Sequence, residues 1–341
     1  MYSVKKIFSY VRTWGVKTSF QNLMYHIQNG EKKKSFGDQN PDKTIYIIRG
    51  INNGSKYYNG PILNLLANYF YVLTHICYAE EHGYVPVVDQ ENYPVYNSLD
   101  TPVNGTMNAW EYYWQQPAEI TLEEAYQSKN VILSRRKWYG QWDMGYDAEK
   151  YSDPAIIKFM NSLSVPLNEV TQNYVQEKYN ELIAGNGKIL GVSFRYGGHA
   201  KNCFHHGDGH PIQPEIDELA DIVEERLVTW GMDKVFMTSD SIESVEYFRK
   251  RFADKLIVMP RIRRAEGVVY ESNQHSPMYN KSAIYQTTNE YLAEMELLSR
   301  CDALIGSITS GLRYAVVCNN MQYEHCEILE RGFFKDNRKR G

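Results

Sequence analysis

The chain has 341 residues, 43% of them hydrophobic and 23% charged, with Lys+Arg 37 against Asp+Glu 41. At roughly 150 residues per domain this length supports two domains, whose cores need neither disulfides nor a structural metal; a net charge of -4 excludes a generic nucleic-acid binder. Five cysteines (Cys77, Cys203, Cys301, Cys318, Cys326) form no Cys-x-x-Cys pair, which argues against a disulfide framework and for a reducing, cytoplasmic compartment.

Residues 1–35 carry Lys5, Lys6, Arg12, Lys17, Lys32, Lys33 and Lys34 against one acid, Glu31, and space Val4, Ile7, Phe8, Val11 and Trp14 along one helical face. The first residues build no unbroken apolar run of the kind a signal peptide needs. A helix lying on an anionic membrane surface is one reading of this segment, and an extension packed on its own domain is the other. Residues 1–40 are therefore set apart as a basic N-terminal extension.

From Thr44 the pattern alternates strand and helix. Ile45–Arg49 is a β-rich run, a loop with Asn52, Asn53, Gly54, Asn59 and Gly60 follows, and Pro61 sits where a helix takes its first residue. Ile62, Leu65, Leu66, Tyr69, Leu73 and Ile76 then recur at helical spacing up to Gly83, and Tyr84–Asp89 is the next strand. Residues 90–150 are irregular and rich in Trp and Tyr, which suits an acceptor-sugar platform or a local aromatic core; Val131–Ser134 is a strand within them. Two helices follow, one opened by Asp153-Pro154 and one spanning 167–184, before Gly185-Asn186-Gly187 breaks the chain. The boundary between an N-terminal domain (41–186) and a C-terminal domain (187–341) is expected there.

The second half repeats the alternation: strand 188–195, loop 196–211, helix 215–230, strand 235–238, helix 241–252, strand 256–259, a long basic loop 260–283, helix 289–300, strand 303–305 and a helix from Gly311. Such alternation predicts parallel sheets covered on both faces.

Three constellations carry chemistry. Gly191-Val192-Ser193-Phe194-Arg195-Tyr196-Gly197-Gly198 ends a buried strand in a guanidinium followed by glycines, a combination suited to a phosphate or an ordinary salt bridge. The loop after it holds His199, His205, His206, Asp208 and His210, four of the chain's nine histidines within twelve residues. Their spacing fits no zinc template, and general acid–base work suits an imidazole that titrates near neutrality. Gly306-Ser307-Ile308-Thr309-Ser310-Gly311 joins a strand to a helix start, where hydroxyls and free N–H groups attract anions. No Asp-x-Asp stands at a strand end, so arginine and helix dipoles are left to neutralise a leaving diphosphate.

The order of Gly191–Arg195, His210-Pro211-Ile212, Val235-Phe236-Met237-Thr238-Ser239-Asp240, and Glu294–Asp302 running into Ser307–Arg313 resembles the donor domain of the α1,6-fucosyltransferase and protein O-fucosyltransferase superfamily, to which nodulation fucosyltransferases belong. The resemblance implies an α/β, GT-B fold with two Rossmann-like domains whose parallel sheets face a central cleft. It also implies inverting, metal-independent transfer of fucose from GDP-fucose, with no cofactor; the leading reading adds a glycan or lipid-linked acceptor in surface polysaccharide synthesis. Under it, Arg195 binds the donor diphosphate, Glu294 is the donor-pocket acid, Ser310 with Ser307 and Thr309 holds the diphosphate, and Asp240, Gly197 and His210 lie near the donor. Two departures stand out: the family's His two residues before the arginine is Ser193, and Tyr196-Gly197-Gly198 replaces its polar run. The acceptor-activating base does not transfer by position, and His199, His206 and Asp208 are its candidates. Another nucleotide-sugar donor, or a non-catalytic nucleotide- or glycan-binding module, are the competing readings.

Overall fold

The computed structural model describes residues 27–52, 63–195, 211–263 and 281–333, with Val16 and Met24 singly. The chain divides into two compact units, residues 1–112 with 116–143, and residues 113–115 with 144–341.

The first unit is built on a four-stranded sheet of β1 (Lys32–Lys34), β4 (Val131–Leu133), β2 (Ile45–Arg49) and β3 (Val85–Asp89), in that spatial order. β2 is Ile-Tyr-Ile-Ile-Arg and buried throughout, as a strand covered on both faces must be. It pairs parallel with β3 and with β4. Pro86 lies in β3, a sheet edge, where a missing N–H costs no ladder bond. Helix α1 (Leu65–Glu81) connects β2 to β3; Asn64 caps it by accepting from Ala67 N, and the chain turns out at Gly83 with φ 65°. A single turn, α2 (Leu122–Ala125), precedes β4.

One expectation changes here. Lys32–Lys34 form β1, an edge strand antiparallel to β4, so the end of the basic extension belongs to the first sheet and that sheet is mixed. Of the aromatic stretch, Trp110, Tyr112, Tyr113 and Trp114 take the local-core alternative: each is at most 1% exposed, and Trp110 stacks on Tyr69 at 6.0 Å, whereas Trp138, Trp142 and Tyr146 are half-buried.

The second unit contains α3 (Pro154–Ser162), α4 (Glu169–Leu182), β5 (Ile189–Phe194), α5 (Ile216–Thr229), β6 (Lys234–Ser239), α6 (Ile242–Phe252), β7 (Leu256–Ile257), α7 (Lys281–Leu298), β8 (Ala303–Gly306), α8 (Ser310–Asn319) and β9 (His325–Ile328). Its five strands are all parallel, ordered β7-β6-β5-β8-β9. Register separates the faces. Leu190, Val192, Phe194, Val235, Met237, Ala303 and Ile305 point to one side, where α5 and α6 cover them with Leu219, Val223, Leu227, Val245 and Phe248. Gly191, Ser193, Thr238 and Gly306 point to the other, under α7 and α8. A Cβ on Gly306 would lie 2.6 Å from Ser193 O and 2.8 Å from Leu312 Cδ1, so glycine lets α8 approach this closely.

The domain boundary is not at Gly185-Asn186-Gly187. Helices α3 and α4 belong to the second unit because α3 packs on α8, with Asn161 Nδ2 donating to Val317 O at 2.9 Å, and α4 packs on α7. The glycine turn merely feeds β5. Helix α7 also starts eight residues before the expected Asn289, the buried Ile284 extending its apolar pattern.

Candidate functional site

The second sheet runs outward from β5 to β6 and β7, then returns to place β8 on the other side of β5. The connections leaving the carboxyl ends of β5 and β8 therefore diverge, and such a switch point is where open α/β sheets bind ligands. Arg195 follows β5 directly and is half-buried; Ser307 follows β8. The two sequence motifs thus meet at one edge, because β5 and β8 are hydrogen-bonded neighbours with Ser193 paired to Gly306.

On the β8 side, Thr309 caps α8 by accepting from Leu312 N at 3.1 Å, and Ser310 begins the helix. Ser307 is buried, and its Oγ has no hydrogen-bond partner among the described residues. A buried hydroxyl left without a partner costs free energy unless a ligand completes it. At the second residue of α8, Gly311 lies under Tyr291 of α7: a Cβ there would stand 2.9 Å from the phenol oxygen.

On the β6 side is an arrangement the sequence reading missed. Glu294, in α7, is fully buried and binds two arginines. Arg261 Nε donates to Glu294 Oε2 at 2.8 Å and Arg263 Nη2 to Glu294 Oε1 at 2.8 Å. Both guanidiniums also donate to Ser239 O, at 2.8 Å from Arg261 and 3.1 Å from Arg263, which ties them to the carboxyl end of β6. Both side chains are 8% exposed. Burial pushes the Glu294 carboxyl up, against the pull of the two guanidiniums, and burial pushes Arg263 down. One carboxylate between two buried cations leaves an excess of positive charge beside the switch point.

Tyr291 lies beside this cluster, its ring centroid 5.9 Å from the Arg261 guanidinium. Its hydroxyl is pushed up to about 12 by burial, with Arg195 and Arg261 acting to lower it and Glu294 and Asp240 to raise it. The charges of Arg195, Asp240, Arg261 and Glu294 thus all act on this one phenol. Glu294 was expected to meet the donor; in this structure its two oxygens accept from Arg261 and Arg263. Asp240 follows β6 and is half-buried. Gly197, His199, His206, Asp208 and His210 lie outside the described residues. The signal that could have revealed Arg261 and Arg263 is the pair Glu294 and Glu296 within the otherwise apolar run Leu292–Leu298, since an acid on a buried face needs a cation from elsewhere in the chain.

Among the described residues no helix is long and apolar enough to cross a membrane. No protein-family model matches the chain, and no curated protein matches it. Among solved structures, the chain is similar to NodZ alpha-1,6-fucosyltransferase soaked with GDP-fucose, at 14% identity over 81% of this chain and 93% of that one, with a TM-score of 0.45. It is similar to a variant of Arabidopsis thaliana FUT1 in complex with GDP, at 11% identity over 98% and 80% and a TM-score of 0.44. POFUT1 in complex with GDP-fucose is similar at 11% identity over 86% and 75%, with a TM-score of 0.34.

Proposed function

We propose that the chain is a glycosyltransferase that moves fucose or a related sugar from GDP-fucose to a glycan acceptor with inversion. The observation that carries this reading is the edge of the second sheet, where Arg195, the Arg261–Glu294–Arg263 cluster and the hydroxyl-bearing start of α8 border one switch point. A nucleoside diphosphate is the ligand class this chemistry suits. When the bond between the sugar's anomeric carbon and the diphosphate oxygen breaks, its electron pair stays on the diphosphate. Guanidiniums fixed in advance and the N–H groups of a helix start stabilise that charge without reorganising. In this proposal arginine supplies the positive charge, so no divalent metal is required. The base that takes the acceptor's hydroxyl proton is one of His199, His206 and Asp208.

Calorimetric titration with GDP, UDP, CMP and GDP-fucose, with and without EDTA, tests the reading. EDTA-insensitive binding selective for the GDP forms is expected. Equal affinity for all nucleotides would overturn the donor assignment. Residues 1–34 and the basic stretch 331–340 support an anionic membrane surface as a second contact, although Arg331 itself pairs with Glu218. Flotation with anionic liposomes, before and after deletion of residues 1–26, checks that part.

A further inference from the structure

Tyr291 belongs to none of the motifs read from the sequence, yet the fold gives its side chain a particular place. On one side its ring lies 5.9 Å from the Arg261 guanidinium, which is fastened to Glu294 Oε2 and to Ser239 O, both at 2.8 Å. On the other side its hydroxyl meets the first turn of α8, where a Cβ on Gly311 would stand 2.9 Å from the phenol oxygen. A helical Cα–Cβ bond tilts toward the helix N-terminus, so the hydroxyl lies toward the start of α8. One side chain thus reaches from the arginine tied to the end of β6 to the helix that follows β8.

The glycine beneath it is explained by this contact. Gly311 sits inside a helix without a positive φ, where alanine would be favoured by about 1 kcal/mol. An alanine methyl would press on the Tyr291 hydroxyl and, at 2.6 Å, on Met295 Sδ. Glycine is the residue that lets the hydroxyl rest against the helix backbone.

That hydroxyl is uncommitted. Toward the other end of α7, Tyr314 donates to Glu296 Oε1 at 2.6 Å and Tyr323 to Leu298 O at 3.0 Å, so both spend their hydroxyls inside the protein. The Tyr291 hydroxyl makes no hydrogen bond to a described residue. Burial keeps it protonated at neutral pH, which leaves it a donor toward an anionic oxygen. The helix start is open too. Thr309 Oγ1 takes Leu312 N and Thr309 O takes Arg313 N, whereas the N–H groups of Ser310 and Gly311 precede the first intrahelical bond. Ser307, in the same short segment, is 1% exposed with its Oγ unpartnered among the described residues, an independent sign that a ligand oxygen completes this end of α8.

We propose that Tyr291 is a further binding residue of the candidate site: its hydroxyl donates to a diphosphate oxygen held at the start of α8, and Gly311 provides the space that seats it. The nucleotide that carries the diphosphate rests on the transferase reading above; the hydroxyl itself requires only the anion.

Calorimetric titration of the full chain, wild type against Tyr291→Phe, tests this. GDP is the reporter where it binds, and inorganic pyrophosphate where it does not. The phenylalanine keeps the ring beside Arg261 and removes one oxygen that bonds nothing in the protein. The reporter should bind the variant about tenfold more weakly with the urea midpoint unchanged, a pattern that a packing role for the ring would not produce. Equal affinity in wild type and variant, or no binding of either reporter, overturns the proposal. Should Tyr291→Phe fail to fold, Gly311→Ala reads the same contact, because its methyl takes the place of the hydroxyl while alanine suits the helix. Affinity should then fall by a similar factor with little change in the urea midpoint, and unchanged affinity overturns the proposal. Failure of the donor reading looks different: UDP and CMP bind as tightly as GDP, or no nucleotide binds, while the reporter's affinity still depends on the Tyr291 hydroxyl.

Discussion

The two units place an arginine at the same topological position, the carboxyl end of the strand beside the switch point, and use it differently. Arg49 is sealed in and spends its donors on the carbonyls of Gly30 and Ser134, fastening three segments of the first unit together. Arg195 is half-buried and shares the carboxyl edge of its sheet with Asp240, which follows β6, and with Arg261, which is tied to the end of β6. A strand-end arginine therefore announces no function by itself. Its surroundings decide whether it organises backbone or waits for a ligand.

The sharpest way to break that contrast is to remove each arginine in turn. Arg195→Ala should lower transferase activity on the order of 100-fold with little change in denaturant midpoint. Arg49→Ala should do the reverse. It should lose roughly 3 kcal/mol of stability in urea unfolding, because buried carbonyls lose charged donors. If Arg195→Ala unfolds the chain, or Arg49→Ala leaves its stability untouched, the distinction fails.

Glu294→Gln asks whether the second unit's cations depend on their carboxylate. With a neutral partner, two buried guanidiniums lose their counter-charge, and stability should fall by about 3 kcal/mol together with GDP affinity. Unchanged affinity would remove Arg261 and Arg263 from the proposed site.

Acidification should distinguish the units less abruptly. His75 of the first unit is buried, and burial pushes its imidazole down to about 3 from an ordinary 6.5. Unfolding therefore takes up a proton below pH 6.5. The stability gained by keeping the ring neutral is full above that pH and is lost as pH falls toward 3, at up to about 1.4 kcal/mol per pH unit. Denaturant curves at pH 7, 5.5 and 4 should show this slope, and His75→Gln should make it shallower.

The smallest effect is expected at Ser307. Removing its unpartnered hydroxyl in Ser307→Ala should leave stability within about 1 kcal/mol of the wild type while weakening GDP binding a few-fold, as read by calorimetry. A large stability loss would show that the hydroxyl has a structural partner.

Strand and helix alternation was legible because buried parallel strands such as Ile45–Arg49 and Ile189–Phe194 are nearly continuous apolar runs between polar caps. Arg195 and Ser307–Ser310 were legible for a related reason: each sits where a strand's pattern stops. β1 was not, since Lys32–Lys34 have no strand preference and are paired by a segment about a hundred residues away. Arg261 and Arg263 were hidden in a stretch read as a basic loop, because their meaning depends on Glu294, which only the packing of α7 brings near. The domain boundary misled for the same reason. Gly185 and Gly187 are a real turn, with φ of 79° and 74°, but a turn marks a domain edge only when few contacts cross it, and α3 and α4 pack on α8 and α7.

The edge strand β1 has a practical consequence. Three lysines cover Val131-Ile132-Leu133, each at most 5% exposed. Charged edges discourage another chain from adding itself to the sheet. Without residues 32–34, an apolar strand with open amides would face solvent, an invitation to intermolecular pairing. A chain shortened past Lys34 is expected to precipitate while its remaining elements are still folded, so that loss of solubility would precede any loss of structure.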